Sequence, residues 1–425
     1  MSTPTPLTEP AGAELAPEPE HGRLPQSRWF IPLMIAAFFA AQLTFNASAS
    51  VSLPLRFGQL DPAGKAGWLS LAVALGGIAN VLITPPLGWL SDITTSRFGI
   101  RRPYLVFGAL AGTLGMLIIA SAGSPAVVVI GWCVAQLGFA AGPVALNALL
   151  ADQIAPGVRA RVSAGLGAAQ GLSSFAGGFL ISVLPADPAF WFLTPAALVV
   201  VLNIALAAVL RDIVRTERPR ISIKPLLASY WVNPLAHRDF ALAWFCRLFF
   251  TLSMFSVLAY LLYFMQSSLG VSEADAATTV GTALLVQTLG GALTIFVFGW
   301  LSDRTGRRKL MVCGSALISA VGLAICIPAT SLTTFFLGIA IVGMGNGAYT
   351  SVDLALMTEV LPEDIGAGQG LGVVALAYQL PQFLAPALAV PILALSGGDY
   401  RGLYAAAVVF AVLGALAVLP IRSAR

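Results

Sequence analysis

The sequence predicts an all-α membrane protein of twelve transmembrane helices, arranged as two six-helix halves in a parallel pseudo-repeat. Three observations carry this. Hydrophobic residues make up 58% of the 425 and charged residues only 10%, a balance suited to lipid rather than water. The apolar stretches are long enough to cross about 30 Å of hydrocarbon, which takes roughly 20 residues of helix because every backbone polar group must be paired within its own segment. A polar phrase then occurs twice, GWLSDITTSRFGIRRPYL from Gly88 to Leu105 and GWLSDRTGRRKL from Gly299 to Leu310, at an offset of 211 residues.

Taken in order, the spans read as residues 29–54, 66–91, 104–122, 125–151, 160–184 and 189–210, then 240–268, 277–302, 309–328, 331–358, 366–395 and 401–420. The first six form a bundle over 29–210, and the last six a second over 240–425 with a short cytoplasmic tail. A basic cytoplasmic loop, 211–239, joins them. Glycine and proline recur inside the spans, as transmembrane helices tolerate. Residues 1–28, rich in Pro, Glu and Ala, read as a disordered cytoplasmic tail. They lack the basic start, apolar run and cleavage site of a signal peptide, so the first span is expected to be retained.

Lys and Arg accumulate in cytoplasmic loops. Nineteen of the 23 basic residues fall in the tails and the even-numbered connections, and only Arg56, Lys65 and Arg401 on the other side. Both termini are therefore expected in the cytoplasm, in a multi-pass protein of the plasma or inner membrane of a bacterium. The net charge of +4 follows from this topology and asks for no nucleic-acid partner. Cys133, Cys246, Cys313 and Cys326 sit in apolar spans without metal-ligand spacing, so they read as small hydrophobes, and no metal or cofactor is expected. The glycosylation-like triplet at Asn46 lies deep in the first span and is a false match.

A second correspondence supports the repeat. LLADQIAPGVRARVSAGLGAAQGL closes the fourth span and opens the fifth, and LMTEVLPEDIGAGQGLGVVAL does the same at the tenth and eleventh, placing Asp152 and Glu359 at equivalent positions 207 residues apart. Six spans is an even number, so the halves share one orientation and repeat about an axis along the membrane normal. Spans 3, 6, 9 and 12 carry almost no amide or charge, Asn203 excepted. The other eight carry Gln42 and Asn46, Asn80, Gln136 and Asn147, Gln170, Arg247 and Gln266, Gln287, Asn346 and Asp353, and Gln379 and Gln382. A polar group facing lipid is costly, so eight helices are expected to enclose a polar cavity between the halves while four face outward.

The 6+6 plan, the basic central loop and the phrase in both halves resemble the major facilitator superfamily over essentially the whole chain. PLGWLSDITTSRFGIRRPYL is more similar still to the sucrose-transporter-like branch of the glycoside-pentoside-hexuronide:cation symporter group, as is GQGLGVVALAYQLPQ at 368–382. The phrase itself has a physical reading. Gly88 and Gly299 would let a neighbouring helix approach closely. Asp92 and Asp303 follow one turn later, where a carboxylate can meet the positive N-terminal end of a helix from the opposite half. The resemblance names those helices as the eleventh for Asp92, opening near Gly366, and the fifth for Asp303, opening near Arg161. Arg101 and Arg102, or Arg307 and Arg308, can hold a carboxylate of their own half, with Asp152 and Glu359 in reach. The phrase thus reads as a pair of latches across the cytoplasmic seam. The alternative is that these charges only fix topology.

Arg247 is the only basic residue within a span and Asp353 the only acid well inside one. Arg247 lies seven residues into its span and Asp353 six residues before Glu359, which puts both about 9–11 Å from the same boundary. They are placed to pair. A permanent structural pair, a pair that breaks during a transport cycle, and a proton- or substrate-binding site all stay open. For substrate, Gln42, Asn46, Gln136, Gln287, Asn346 and Gln379 offer neutral donors and acceptors that suit hydroxyl-rich or otherwise uncharged ligands, although each can equally bond between helices. Tyr260 and Tyr263 are candidates to stack on a sugar ring, or ordinary members of an interfacial aromatic belt.

Enzyme signatures are absent. His21 and His237 lie in the tail and the central loop, and no Gly-rich phosphate loop with Lys and Ser/Thr occurs. The resemblance implies a monomeric secondary transporter working by alternating access on a small-molecule substrate, with the bilayer as its other partner. A proton-coupled sugar or glycoside symporter leads, with Asp353 and Arg247 as coupling residues. The alternatives are a proton-antiport exporter of drugs or amphipathic metabolites and, from another class, a transporter-derived sensor or passive channel.

Overall fold

A computed structural model describes residues 24–214, 237–361 and 367–421. Among them there is no strand, and twelve helices are long and apolar enough to cross a membrane. They are α1 (Phe30–Leu60), α2 (Lys65–Ile93), α3 (Arg102–Ala120), α4 (Pro125–Asp152), α5 (Pro156–Val183) and α6 (Pro188–Val209). After the central loop come α7 (Arg238–Leu258), α8 (Glu273–Thr305), α9 (Arg308–Cys326), α10 (Leu332–Glu359), α11 (Ala367–Leu395) and α12 (Arg401–Val418). Most boundaries agree with the hydropathy reading to within a few residues. Of the predicted tail and central loop, residues 1–23 and 215–236 lie outside the described residues.

The first span departs furthest, running to Leu60 rather than stopping at Pro54. Proline removes an N–H from the helical ladder, and the chain absorbs that loss with a π turn over Ser48–Ser52. A fresh stretch, Leu53–Leu60, then begins with Pro54 in its first turn, where the missing donor is harmless. α7 is interrupted in a similar place, at Ala259 and Tyr260, and resumes as Leu261–Ser268.

An even number of spans puts both ends of the chain and the Arg-rich connections on one side of the slab, called here the basic face. On the opposite side a single apolar core runs through both halves, joining Val51, Phe57, Trp132 and Phe192 to Leu262, Phe264, Phe335 and Tyr404. Toward the basic face the core divides. One cluster, around Met34, Leu105, Leu149 and Leu210, belongs wholly to the first half, and another, around Phe250, Val312, Leu356 and Val418, wholly to the second. The halves are therefore sealed together on the outer side and separate toward the basic face.

Named contacts make the seal. Ser70 on α2 donates to the carbonyl of Pro386 on α11 at 2.8 Å, and because its one proton is used there, the Tyr260 hydroxyl donates to the Ser70 oxygen. The Tyr263 hydroxyl donates to Pro54 O at 2.9 Å, and the Lys65 ammonium stands 4.7 Å from the centre of the Tyr263 ring. α5 and α8 touch at Gly178 and Gly281, where a Cβ on Gly178 would stand 2.6 Å from the Gly281 Cα. In the outer loop, Asp61 accepts from the Gly64 amide and from the Trp68 indole, which hold its carboxyl below the ordinary range, the backbone bond contributing most.

Inside the first half, α3 meets α4 backbone to backbone at Gly115. A Cβ there would overlap the main chain of Ala135 and stand 2.6 Å from the Gly131 carbonyl, with no flexible side chain to move aside. Gly115→Val should lower stability by about 1–3 kcal/mol and cut the yield of monodisperse protein. Gly314→Ala in α9, with nothing within 4 Å of an added Cβ, should stay within about 0.5 kcal/mol of the parent in the same thermal-unfolding assay.

Candidate functional site

A small gap lies between the halves, just inside the outer seal, lined by residues of both. α1 contributes Phe45, α2 Gly77, α4 Trp132 and Gln136, α7 Phe255, and α11 Gln382. Trp132 and Gln136 stand one turn apart on α4 and so share a face. The Trp132 ring stacks on Phe45 with centroids 6.2 Å apart, and its buried indole N–H has no protein acceptor among the described residues. The lining is neutral: aromatic rings, aliphatic side chains and two amides, with no charge.

Of the six amides offered as substrate contacts from sequence, Gln136 lines this space and the other five do not, while Gln382, named only as a polar residue of its span, lines it too. The Gln42 amide donates to Gln170, and Asn46 donates to Ser173 at 3.1 Å and Ser174 at 3.2 Å, so both are used between α1 and α5. Gln287, Asn346 and Gln379 are half-buried on their helices and outside the lining. Tyr260 and Tyr263 are about 1% exposed in the outer seal, and in this conformation their rings are closed to a ligand in the cavity. The break in α7 after Leu258 turns the chain there, carrying the tyrosines outward while Leu258 and Ala259 stay on the lining.

Arg247 and Asp353 pair, Nη1 to Oδ2, at 2.5 Å, with 18% and 9% of their side chains exposed. The matching depths counted along α7 and α10 are thus realised. Tyr349, one turn before Asp353, stacks face to face on Phe250, one turn after Arg247, with ring centres 3.7 Å apart. That ring pair fixes the two helices next to the ion pair. A second N–H of the guanidinium, on Nε, is buried without an acceptor among the described residues.

At the basic face, Arg101 is 6% exposed and sits among acids. Its Nη2 lies 2.8 Å from Asp92 Oδ1 and 2.9 Å from Asp152 Oδ2, its Nε donates to Asp152 at 3.2 Å, and its Nη1 donates to the Ser91 hydroxyl. The second half repeats this more loosely. Arg308 Nη1 donates to Glu359 at 3.2 Å and to the carbonyl of Ala355, with both charged side chains 32% exposed. A buried, doubly paired guanidinium is costly to leave unpaired, whereas an exposed pair contributes about 0–1 kcal/mol. The first half carries the stronger network.

Several expectations change. Arg102 holds no carboxylate with its side chain; its guanidinium donates to the carbonyl of Leu210 at the end of α6. Lys309 mirrors this in the second half, donating to Ile421 O at 2.9 Å, and Arg307 bonds through its backbone, its N–H to Thr305 and its carbonyl to Met311 N, with no side-chain bond to a carboxylate among the described residues. The carboxylate partners therefore fall to Arg101 and Arg308, which share the 207-residue offset of Asp152 and Glu359. Gly88 has nothing within 4 Å of an added Cβ and Gly299 meets only Ser351 of its own half at 3.8 Å. The close helix approach expected at both is not made among the described residues. The side chain of Asp303 and the start of α11 near Gly366, against which Asp92 was expected to dock, lie outside the described residues.

Sequence reasoning missed Trp132, Phe45 and Phe255 in the cavity, Ser91 beside Arg101, and Asp212, whose carboxylate accepts from the backbone N–H groups of Arg101 and Arg102 at 2.6 and 2.8 Å. Trp132 had a signal in its one-turn spacing from Gln136. Asp212 had none, lying about 110 residues from its partners.

Two outcomes follow from the pairs. Arg247→Ala and Asp353→Ala should each destabilise by about 3–5 kcal/mol, since each strands a charge in hydrocarbon, and the double variant should recover most of the loss in a thermal-unfolding cycle. Arg101→Ala should lower the unfolding temperature clearly more than Arg308→Ala does.

A profile described as Major Facilitator Superfamily matches residues 27–286 and 243–425. The chain is 32% identical over 102 residues to the MFS-type transporter Rv1877 of Mycobacterium tuberculosis, a stretch that covers 24% of this chain and only 15% of that one. It is 34% identical over 65 residues to the sucrose transport protein SUC4 of Arabidopsis thaliana, covering 15% and 12%. In three dimensions it resembles a bacterial homologue of the human lysosomal transporter Spinster, crystallised in an inward-facing and occupied conformation, with a TM-score of 0.70 at 14% identity over 93% of this chain and 96% of the other. With profile matches across both halves of a twelve-helix 6+6 fold, this chain belongs to the major facilitator superfamily.

Proposed function

We propose that this protein is a secondary transporter that moves a neutral, hydroxyl-rich solute, a sugar or glycoside, by alternating access, coupled to a proton carried on Asp353. The observation that carries the reading is the cavity between the halves, where aromatic faces stand beside the uncharged amides of Gln136 and Gln382. A sugar presents an apolar ring face and a rim of hydroxyls, and that lining supplies a partner for each. The short likeness to a sucrose transport protein supports the same class. Both termini are assigned to the cytoplasm by the basic face, the protein works as a monomer, and the state described here opens toward that side.

Asp353 is the acid placed to carry the coupling proton. In the charged form it holds Arg247; on protonation the pair loosens, and α7 and α10 are released to move relative to one another. Asp92, Arg101 and Asp152, with Asp303, Arg308 and Glu359 in the second half, serve as the gate on the basic side. A ligand shifts such an equilibrium only through different affinities for the two states. The second reading, a proton-antiport exporter of amphipathic compounds, draws on the three rings, Phe45, Trp132 and Phe255, that dominate the lining.

Reconstituted protein should accumulate labelled sucrose, or another labelled glycoside from a small panel, under an inward proton gradient. Gln136→Ala should raise KM about tenfold with turnover nearly intact, and Asp353→Asn should still exchange preloaded sugar while failing to concentrate it. Gradient-driven efflux of a lipophilic dye with no sugar counterflow would select the exporter reading. Full accumulation by Asp353→Asn would remove the proton from that residue.

A further inference from the structure

We infer that Asp212, at the start of the segment joining the two halves, is a positioning residue for the gate: it determines where Arg101 stands. The inference rests on reading Arg101 and its acids as a gate.

The geometry is local and complete. Gly99 turns the chain into α3 with φ +103°, a conformation that L side chains rarely adopt. The first amides of α3 have no acceptor within the helix, as at every helix N-terminus. Helices meet this need with a capping side chain from the preceding residue, but none does so here. Asp212 supplies the oxygen from the far end of α6: Oδ2 accepts from Arg101 N at 2.6 Å and Arg102 N at 2.8 Å, while Oδ1 accepts from its neighbour Ile213 N at 2.8 Å. A Cβ on Gly99 would overlap that carboxyl, so glycine is needed both for the turn and for the space.

Further bonds fasten the same segment. Ile100 N donates to Ile213 O at 3.1 Å, and the Arg102 guanidinium donates to Leu210 O. Gln26 reaches over from the N-terminal side, donating to Arg211 O at 2.8 Å and to Gln153 Oε1 at 3.0 Å and accepting from Arg211 N at 3.0 Å. The main chain of Arg101 is thereby held at a point from which its side chain meets Asp92, Asp152 and Ser91 together. Long guanidinium side chains lose several rotatable bonds on pairing, so a fixed backbone origin favours one doubly paired geometry over many loose ones. The connection between the halves thus begins at the atom that orients the gate.

The test uses maleimide labelling of a single cysteine, Thr84→Cys, on the α2 face that carries Gly77 and Gly88, in full-length protein whose four native cysteines are replaced, held in phosphatidylcholine nanodiscs. Asp212→Ala should label severalfold faster than the parent, as Arg101→Ala should, because the basic side is open more of the time. Asp212→Asn keeps an accepting oxygen and should label at nearly the parent rate. In the Arg101→Ala background, Asp212→Ala should add nothing, because its effect passes through Arg101. If Asp212→Ala gives no monodisperse protein, Gly99→Ala, which displaces the carboxyl, takes its place with the same expected rates. Parent-rate labelling in Arg101→Ala would overturn the gate itself. Fast labelling in Arg101→Ala with parent rates in Asp212→Ala, or a full additional effect in the double variant, would overturn the positioning role and leave the gate standing.

Discussion

In hydrocarbon no water is available to an unpaired amide or charge, and the architecture follows from satisfying each one within the protein. Helices do this for the backbone. Where proline removes a donor, the chain makes local repairs, as in the π turn ahead of Pro54. Several side chains that carry polarity into the slab are paired between helices: Gln42 with Gln170, Asn46 with two serines, and Arg247 with Asp353. The partners sit on different helices, so each bond also sets how those helices pack.

The same constraint shapes the contacts within and between the halves. Within a half, the contact of α3 with α4 is backbone against backbone and has no room to slide. Between the halves the contacts are apolar packing, a close backbone approach at Gly178 and Gly281, bonds from Ser70 and Tyr263 to carbonyls and from Tyr260 to the Ser70 hydroxyl, and a cation over a ring. Each is modest alone, with water able to replace the hydroxyl bonds once the seam opens. On the basic face the first half's charges, gathered on Arg101, already have partners inside their own half while the halves are apart, which keeps the charges from standing unpaired in the open state.

The two halves are alike in plan and unequal in strength. Arg101 is buried and doubly paired, where Arg308 makes one longer, exposed bond to a carboxylate. Four more residues separate Asp92 from Arg101 than Asp303 from Arg308, and the extra length lets the first loop fold over and reach Asp212. Duplication supplied the pattern; the longer loop made one copy the firmer.

Much of this was legible in the amino-acid order, because hydropathy, charge bias and a repeated phrase are local signals. Twelve spans, their two-half arrangement and the equal depth of Arg247 and Asp353 follow from counting along helices of known rise. Counting does not reveal which way a helix turns its faces or which distant segment fills the space beside it. The amides of Gln42, Asn46 and Gln136 look equivalent in one dimension, yet helix rotation sends two into the α1–α5 contact and one into the cavity. Tyr260 and Tyr263 sit beyond a break in α7 that moved them to the seal, and Asp212 reached Arg101 only when α6 returned to the start of α3. Sequence determined the elements and their depth in the slab, since transfer into lipid is decided residue by residue. Where several groups stood at a similar depth, or the partner lay in a connection as Asp212 does, tertiary structure decided partnership, since such a bond forms only after the helices have packed.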